Sequence, residues 1–211
     1  MSTLSDLSEA VQKGRVKDVL ALIDAGLAEG IPAQQLLDEG LLTGMSVLGV
    51  KFKNNEVFVP EVLIAARALN KGSEVLKPLL IEAGVSARGS AVIGTVKGDL
   101  HDIGKNLVKM MLEGAGFEVH DLGVDVSPDQ FVEAIGEHHP DVVCLSALLT
   151  TTMLQQKSIV EAISAAGLRD QVKILVGGAP VTQAFCDEVG ADGYAPDAAS
   201  AADLAASMLA A

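Results

Sequence analysis

A histidine flanked by two carboxylates lies in the segment KGDLHDIGKN, residues 97–106. Asp99 precedes His101 by two positions, and Asp102 follows it directly. A carboxylate on one imidazole nitrogen fixes the tautomer and leaves the other nitrogen free to act as a base or to bind a metal. Gly104 lacks a side chain near the start of the next predicted helix, so a bulky group could pass close to the backbone. Alternatively, the histidine is only a hydrogen-bonded loop residue, with Asp99 or Asp102 capping the helix.

Two further segments place hydroxyl groups or glycines directly after apolar runs. The first, SALLTTT at 146–152, carries hydroxyl groups at Ser146 and at positions 150 to 152. These hydroxyls either cap the helix that follows or line a cleft, and one of them could support Asp99. The second, GGAP at 177–180, allows a flat or extended ligand to approach the backbone, although a tight turn explains the two glycines almost as well.

The histidines of this sequence do not have the spacing of an ordinary metal site. No second histidine or cysteine lies at ligand spacing from His101, and the glycine-rich phosphate-binding motifs are absent from the sequence. His138 and His139 are expected at a helix end, and His120 is expected on the surface side of a strand. Because one imidazole would hold a metal ion too weakly, a metal bound by His101 has to arrive inside a macrocycle.

The elements that position these segments alternate between strands and helices from residue 91 onward. Five short strands, each followed by a helix, are predicted at 91–96, 117–122, 142–145, 172–176 and 193–195. This alternation predicts a five-stranded parallel sheet of the flavodoxin-like, Rossmann-like α/β class, with helices on both faces and strand order 2-1-3-4-5. In that order the three segments follow neighbouring strands at the carboxyl edge, where ligands collect. The sequence therefore predicts one binding site there.

The first 80 residues carry helix signals and little strand signal. Two short helices are expected at 5–13 and 16–28, and two more begin near Pro32 and Pro60, with a loop at 51–59 between them. Four helices with short loops predict a small all-α four-helix bundle. The apolar stripe expected on the third helix consists of Leu37, Leu41, Met45 and Leu48.

A segment of small and polar residues separates the two halves. Residues 82–90, EAGVSARGS, indicate a linker that is long enough to act as a hinge. The expected domains are therefore a helical-bundle cap at 1–88 and an α/β domain at 89–211.

Composition narrows the function classes. The 211 residues are 49% hydrophobic, which indicates a globular chain, and 28 acidic against 15 basic residues give a net charge of −13. Such an acidic surface repels phosphate backbones, so nucleic acid is not an expected partner. Cys144 and Cys186 do not suffice for a disulfide framework, and neither a secretory leader nor an apolar run of membrane-spanning length is visible. We therefore expect a cytoplasmic protein with no membrane partner.

Taken in order, the three segments resemble the cobalamin-binding signature of corrinoid proteins that bind their cofactor base-off and His-on. The run EVFVPEVL at 56–63 is similar to the helical cap of cobalamin-dependent methionine synthase. In size and layout the whole chain resembles the free-standing corrinoid proteins of three-component methyltransferase systems. The positions that match the signature are Asp99-x-His101-x-x-Gly104, Ser146-x-Leu148-x-Thr150 and Gly177-Gly178.

The resemblance implies a role for each matching residue. His101 would be the lower axial ligand of cobalt in place of the cofactor's dimethylbenzimidazole, Asp99 would hold the other ring nitrogen, and Thr152 would complete the triad. Gly104 would admit the displaced nucleotide tail, and Phe58 would shield the upper face of the corrin. The tail pocket would be lined by Ser146, Leu148, Thr150, Gly177 and Gly178. The full cofactor-binding set implied is Asp99, His101, Asp102, Ile103, Gly104, Ser146, Leu148, Thr150, Thr152, Gly177, Gly178 and Phe58, with His101 as the metal ligand.

The same resemblance implies a methyl carrier with no turnover of its own. It would carry a methyl group on cobalt, alternating between cob(I)alamin and methylcobalamin. The methyl group would come from a substrate-specific methyltransferase and pass to a corrinoid:tetrahydrofolate or thiol methyltransferase. A reductive activator protein would rescue cofactor that becomes oxidised to cobalt(II).

Three other functions compete with this one. The cobalamin-binding subunit of a mutase would resemble the second half but would not need the helical cap. A cobalamin-dependent light-sensing regulator also has a helical bundle, but it uses a Trp-bearing cap and a basic DNA-binding domain, whereas this sequence has no Trp. A phosphoacceptor receiver without cobalamin needs a lysine near the last strand, where this sequence has Tyr194-Ala195-Pro196.

Overall fold

Two compact units make up the computed structural model, which describes residues 2–85 and 87–210. The first unit comprises Met1–Ala87 with Gly114–Gly116, and the second comprises Arg88–Glu113 with Phe117–Ala211. Within the described residues, no helix is both long enough and apolar enough to cross a bilayer.

The N-terminal unit is helical, as predicted. Three of its helical segments follow one another without a break between residues 33 and 53, so the described residues 2–85 contain four helical stretches. The third stretch continues through Lys53, so the loop expected at 51–59 is limited to residues 54–58. In chain order the segments are α1 (Thr3–Gln12), α2 (Val16–Ala28), α3 (Ala33–Gln35), a π-helical segment (Leu36–Leu42), α4 (Thr43–Lys53) and α5 (Val59–Glu82).

The π-helical segment changes the first residue of the predicted apolar stripe. Hydrogen bonds in a π-helix join residues five apart, so two residues at that spacing can lie on the same face. Leu36 and Leu41 are both fully buried, whereas the predicted Leu37 is only half-buried. Met45 and Leu48 continue the stripe as predicted. The rest of this core includes Leu7, Val11, Val19, Ile23, Leu69 and Leu76.

The second unit is built on one parallel sheet with the order β2-β1-β3-β4-β5, which confirms the predicted fold class and strand order. Its strands are β1 (Gly89–Thr95), β2 (Phe117–Asp121), β3 (Val142–Ser146), β4 (Lys173–Gly177) and β5 (Gly193–Tyr194). Its helices are α6 (Ile103–Gly114), α7 (Pro128–His138), α8 (Thr150–Ala165), α9 (Gln183–Val189) and α10 (Ala198–Leu209), with a short 3₁₀ helix at Arg169–Gln171.

Local signals explain where these elements begin and how they pack. The Ser127 hydroxyl accepts a hydrogen bond from the Gln130 N–H at the start of α7, and the Gln130 side chain accepts one from the Ser127 N–H. Phe131 of α7 is fully buried in the core that α7 and α8 form with the sheet. Cys144 on β3 belongs to the same buried sheet, and burial raises the pKa of its thiol to about 12.

Candidate functional site

The three predicted segments begin at the same level of the sheet. Thr95 at the end of β1 pairs with Ser146 at the end of β3, and Ser146 pairs with Gly177 at the end of β4. The loops after these three strands therefore leave the sheet side by side at its carboxyl edge. The prediction that the strand order brings them together is confirmed.

A tight turn at the end of β1 positions Asp99. The Asp99 N–H donates to the Val96 carbonyl at 3.1 Å, and Gly98 adopts φ +81°, which suits the third position of a type II turn. The loop after β2 fixes this turn from the side. The Asp125 carboxylate accepts from the Gly98 N–H at 2.7 Å, and the Asp125 N–H donates to the Asp99 carbonyl at 3.0 Å.

The Asp99 carboxylate is fully buried and accepts four hydrogen bonds. Its Oδ1 accepts from the His101 N–H at 3.0 Å and from His101 Nδ1 at 2.7 Å. Its Oδ2 accepts from the Leu148 N–H at 2.8 Å and from the Thr152 hydroxyl at 2.6 Å. Thr152 also accepts from the Leu149 N–H at 3.3 Å, so it supports the start of α8 as well as Asp99.

These contacts decide the protonation of Asp99. Burial alone would raise the pKa of Asp99, but hydrogen bonds from the Thr152 hydroxyl, the Leu148 N–H and the two His101 donors hold it well below its usual range. Asp99 is therefore ionised at neutral pH and can only accept hydrogen bonds.

An ionised Asp99 determines which nitrogen of His101 is free. Because Oδ1 can only accept, the Nδ1 atom of His101 carries a proton, and in the neutral ring Nε2 keeps its lone pair. The fully buried Thr95 hydroxyl donates to the His101 carbonyl at 2.9 Å and fixes the backbone of this residue. The side chain of His101 is 52% exposed. The arrangement presents one nitrogen that can act as a base or as a metal ligand.

Four apolar side chains are unusually exposed at this edge of the sheet. Two of them are close to this histidine in sequence, and two lie in the loop after β3. Leu100 and Ile103 are each 72% exposed, and Leu148 and Leu149 are each 43% exposed. Exposed apolar groups gathered at one edge of a sheet indicate a surface that a ligand or a partner covers. A broad apolar group therefore suits this surface better than a bare ion.

The glycines of the predicted site fall into two kinds. A Cβ at Gly104 would meet nothing within 4 Å, and one at Gly177 would meet only the Ala195 carbonyl at 4.0 Å, so both leave open space. Gly178 differs, because a Cβ there would lie 1.7 Å from the Ala147 carbonyl oxygen, and its φ is +130°. Contact between the two backbones is thus enough to require glycine at position 178.

The remaining predicted residues have local roles in this structure. Asp102 is exposed and receives hydrogen bonds from Asn106, through its carbonyl at 2.8 Å and its carboxylate at 3.2 Å, at the start of α6. Thr150 is the exposed first residue of α8. Ser146 is half-buried, and its carbonyl accepts from the Val96 N–H at 3.0 Å.

Phe58 belongs to the N-terminal unit, where it directly precedes α5 and is 62% exposed. Its N–H donates to the Glu61 carboxylate at 3.2 Å, which helps to begin α5. Its role over the site stays a prediction.

Three residues near the site escaped sequence reasoning. Thr95, Asp125 and Gln156 were not singled out, although Thr95 fixes His101 and Asp125 fixes the turn before Asp99. Gln156 on α8 is fully buried, and its Nε2 donates to the Leu145 and Gly177 carbonyls. A polar residue inside an apolar run could have pointed to Thr95. No group of three or more potential metal ligands occurs among the residues that the structure describes.

Comparison with known families identifies the cofactor of this chain. A family model described as the B12 binding domain matches residues 89–203, and a second one with the same description matches residues 3–77. The chain belongs to the B12-binding family of corrinoid proteins. Its cofactor is therefore cobalamin. The half-exposed His101 side chain, the exposed apolar residues near it and the open space at Gly104 fit that large cofactor.

Relatives of known name cover nearly the whole chain. A dimethylamine corrinoid protein of Methanosarcina barkeri is 44% identical over 98% of this chain and 97% of its own length. A corrinoid protein of Desulfitobacterium hafniense is 40% identical over 99% of this chain and 98% of its own.

Among solved structures, the methanol:cobalamin methyltransferase complex of M. barkeri includes a chain with a TM-score of 0.89 and 30% identity, covering 99% of this chain and 80% of that one. A cobalamin-binding protein of D. hafniense gives a TM-score of 0.80 and 33% identity, covering 95% of this chain and 96% of that one.

Proposed function

We propose that this protein is the methyl-carrying subunit of a corrinoid methyltransferase system and binds cobalamin base-off and His-on through His101. The observation that carries the proposal is the buried, ionised Asp99, which fixes a half-exposed histidine with its Nε2 atom free. Such a carboxylate makes a ligating imidazole more basic, and therefore a stronger metal ligand, and it fixes the orientation of the ring.

The bound corrinoid supplies a cobalt centre that can accept and give up a methyl group. The residues of the chain hold and tune that centre. Asp99 keeps the proton on Nδ1 of His101, so that Nε2 is available as the lower ligand. Because only a neutral imidazole can bind a metal, ligation is coupled to proton uptake and release. The hydrogen-bonded chain from His101 through Asp99 to Thr152 is placed to hold or release that proton.

The nucleotide tail that His101 displaces needs a place of its own. We assign it to the carboxyl ends of β3 and β4, beside the open space at Gly104 and Gly177. The residues proposed to contact the tail and the corrin in this region are Asp102, Ile103, Gly104, Ser146, Leu148, Thr150, Gly177 and Gly178. Phe58 is proposed to shield the upper corrin face.

The proposed partners follow from the relatives. This chain matches a dimethylamine corrinoid protein over almost the whole length of both proteins, and it matches a chain of a methanol:cobalamin methyltransferase complex in fold. A substrate-specific methyltransferase is therefore the proposed methyl donor. A corrinoid:tetrahydrofolate or thiol methyltransferase would accept the methyl group, and a reductive activator would restore oxidised cofactor. A reducing cytoplasm is the proposed location, in keeping with two free and buried cysteines.

The lower ligand can be identified by isotope labelling. Protein labelled with [¹⁵N]histidine is reconstituted with cobalamin, reduced to cobalt(II) and examined by electron paramagnetic resonance. A protein imidazole as lower ligand gives doublet splitting from ¹⁵N, whereas retained benzimidazole keeps the triplet splitting of ¹⁴N. We expect doublets in the labelled wild type and their loss in His101→Ala. A triplet in the labelled wild type would contradict His-on binding.

The carrier role needs a separate test. The reconstituted cobalt(I) form is offered to a panel of methyltransferases with methylamines, methanol, betaines or aryl methyl ethers as donors. We expect one pair to convert the visible spectrum to that of methylcobalamin. Tight cobalamin binding with no methylation by any member of the panel would favour the mutase-subunit function instead.

A further inference from the structure

A fully buried glutamine on α8 has half of its amide group without a partner. Gln156 has no exposed surface, and its Oε1 atom has no hydrogen-bond partner in the structure. Buried amide oxygens are normally paired, because removing one from water without a new hydrogen bond is unfavourable. The unpaired oxygen therefore indicates a donor that the protein chain itself does not supply.

The other half of the amide fixes the orientation of this oxygen. Nε2 donates to the Leu145 carbonyl at 2.9 Å and to the Gly177 carbonyl at 3.0 Å. The reverse orientation would set Oε1 against two carbonyl oxygens, so these contacts establish which atom is the oxygen. Since Oε1 is bonded to the same carbon as Nε2, it also lies at the carboxyl ends of β3 and β4.

This position coincides with the region assigned above to the nucleotide tail. Gly177 belongs to that region and is contacted by Gln156 directly, and Ser146 follows Leu145 in sequence. We propose that Oε1 of Gln156 accepts a hydrogen bond from the nucleotide tail of the bound corrinoid, which makes Gln156 a specificity-determining residue for that tail. The inference rests on the proposed base-off binding and adds a residue that selects among tails.

The chemistry of the amide oxygen limits what it can recognise. A carbonyl oxygen only accepts, so its partner must carry an O–H or N–H group. The phosphate of the tail and the dimethylbenzimidazole base offer no such group, whereas the ribose hydroxyls do. A base with a hydroxyl substituent offers one as well. The shared feature is a hydrogen-bond donor on the tail, supplied either by the ribose or by the base.

Three corrinoids separate these possibilities in binding experiments. Cobinamide lacks the nucleotide, cobalamin has ribose hydroxyls and a base without a donor, and 5-hydroxybenzimidazolylcobamide has a donor on the base as well. Dissociation constants of all three are measured for the wild type, for Gln156→Met and for the control Gln155→Met. Gln155 is the half-buried neighbour on the same helix, so the control makes the same chemical change outside the proposed contact.

We expect Gln156→Met to weaken the binding of at least one complete cobamide by roughly threefold to tenfold, with cobinamide unchanged. A ribose donor predicts equal losses for both cobamides, and a donor on the base predicts a loss for the hydroxylated cobamide alone. Equal losses for all three corrinoids, or no loss for any, would overturn the proposal. Gln155→Met is expected to change none of them.

Wild-type protein provides a test that does not depend on the variant folding. In a crystal structure of the complex with either cobamide, Oε1 of Gln156 should lie within about 3.2 Å of a tail hydroxyl or amino group. A water molecule in that place, with both tails out of reach, would contradict the proposal. The doublet splitting from [¹⁵N]histidine would persist in that case, so failure of this inference is distinct from failure of His-on binding.

Discussion

The carboxyl ends of β1 and β2 each hold an aspartate with a lowered pKa, but the two carboxylates have different partners. Asp121, at the end of β2, has both oxygens 2.6 Å from Nζ of the buried Lys105, and Nζ of Lys109 lies 3.5 Å away. Burial alone would raise the pKa of Asp121, but Lys105, the Gly123 N–H and Lys109 outweigh it. The hydrogen bonds to Asp99 come instead from backbone N–H groups, a hydroxyl and an imidazole.

The difference separates a carboxylate that is paired with lysines from one that orients an imidazole. At Asp121 the lysines neutralise the negative charge, and the pair attaches α6 to the sheet. At Asp99 the negative charge faces the imidazole of His101 and makes the free nitrogen of that ring more basic. Two aspartates at the carboxyl ends of neighbouring strands thus have different partners.

The largest predicted effect concerns the structural pair. Asp121→Ala leaves the Lys105 ammonium buried without its carboxylate, so the free energy of unfolding should fall by about 3 to 5 kcal/mol. Urea unfolding of the protein without cofactor measures this change. The double variant Asp121→Ala/Lys105→Met should recover much of the loss, because no unpaired charge remains buried. A double variant as unstable as the single one would contradict this explanation.

The next effect concerns the carboxylate beside the histidine. Thr152→Val removes the hydroxyl that donates to Asp99 Oδ2 and leaves a buried carboxylate with one hydrogen bond fewer. The free energy of unfolding should fall by about 1 to 3 kcal/mol, with Thr152→Ser close to the wild type. In the reconstituted cobalt(II) protein, Thr152→Val should also alter the nitrogen splitting. A serine variant as unstable as the valine one would show that the methyl group matters instead.

Acid should remove the contribution of Asp121 at a predictable pH. Its folded-state pKa is lowered from the unfolded value of about 3.9, so its stabilising contribution is present above that pH and is lost as pH falls through the folded value. The difference in unfolding free energy between wild type and Asp121→Asn should therefore shrink below about pH 4. Asp99 is present in both proteins, so its own contribution cancels in this difference. A difference that stays constant between pH 7 and pH 3 would contradict the ion pair.

The smallest effect concerns the glycine that precedes Lys105. Gly104→Ala should raise the free energy of unfolding by at most about 1 kcal/mol, because its Cβ meets open space in a helix. It should weaken cobalamin binding more than cobinamide binding if the tail passes there. Gly136→Ala on α7 is the matched control, since its Cβ also meets nothing within 4 Å. Equal affinities in the two variants would remove Gly104 from the tail's path.

The sequence predicted the sheet because each strand is a short apolar run bounded by turn residues. Strand order then placed three loops side by side, which is why one hydroxyl of the segment 146–152 could be expected to support Asp99 beside His101. The resemblance, not the strand order, singled out Thr152 as that hydroxyl. The match to the cobalamin-binding signature added the ligand role of His101, which stays a prediction.

What the sequence could not predict depends on contacts between distant segments. Thr95 stands out only as a polar residue in an apolar run, and its partner could not be predicted because the turn after it brings the His101 carbonyl within reach. Gln156 lies on the same face of α8 as the buried Ile159 and Val160, but a glutamine in a helix normally faces water, so its residue type hid the buried amide. The π-helical segment buries Leu36 in place of Leu37. The sequence could not predict this change, because the wider turn of a π-helix has no signature in the apolar spacing.

One of the four hydrogen bonds to Asp99 comes from the main chain at position 148. Every amino acid except proline supplies the same N–H group there, so mutation can alter the side chain at this site while the carboxylate keeps its anchor. The side chain at position 148 can therefore vary among descendants of this chain without loosening the histidine that the carboxylate holds.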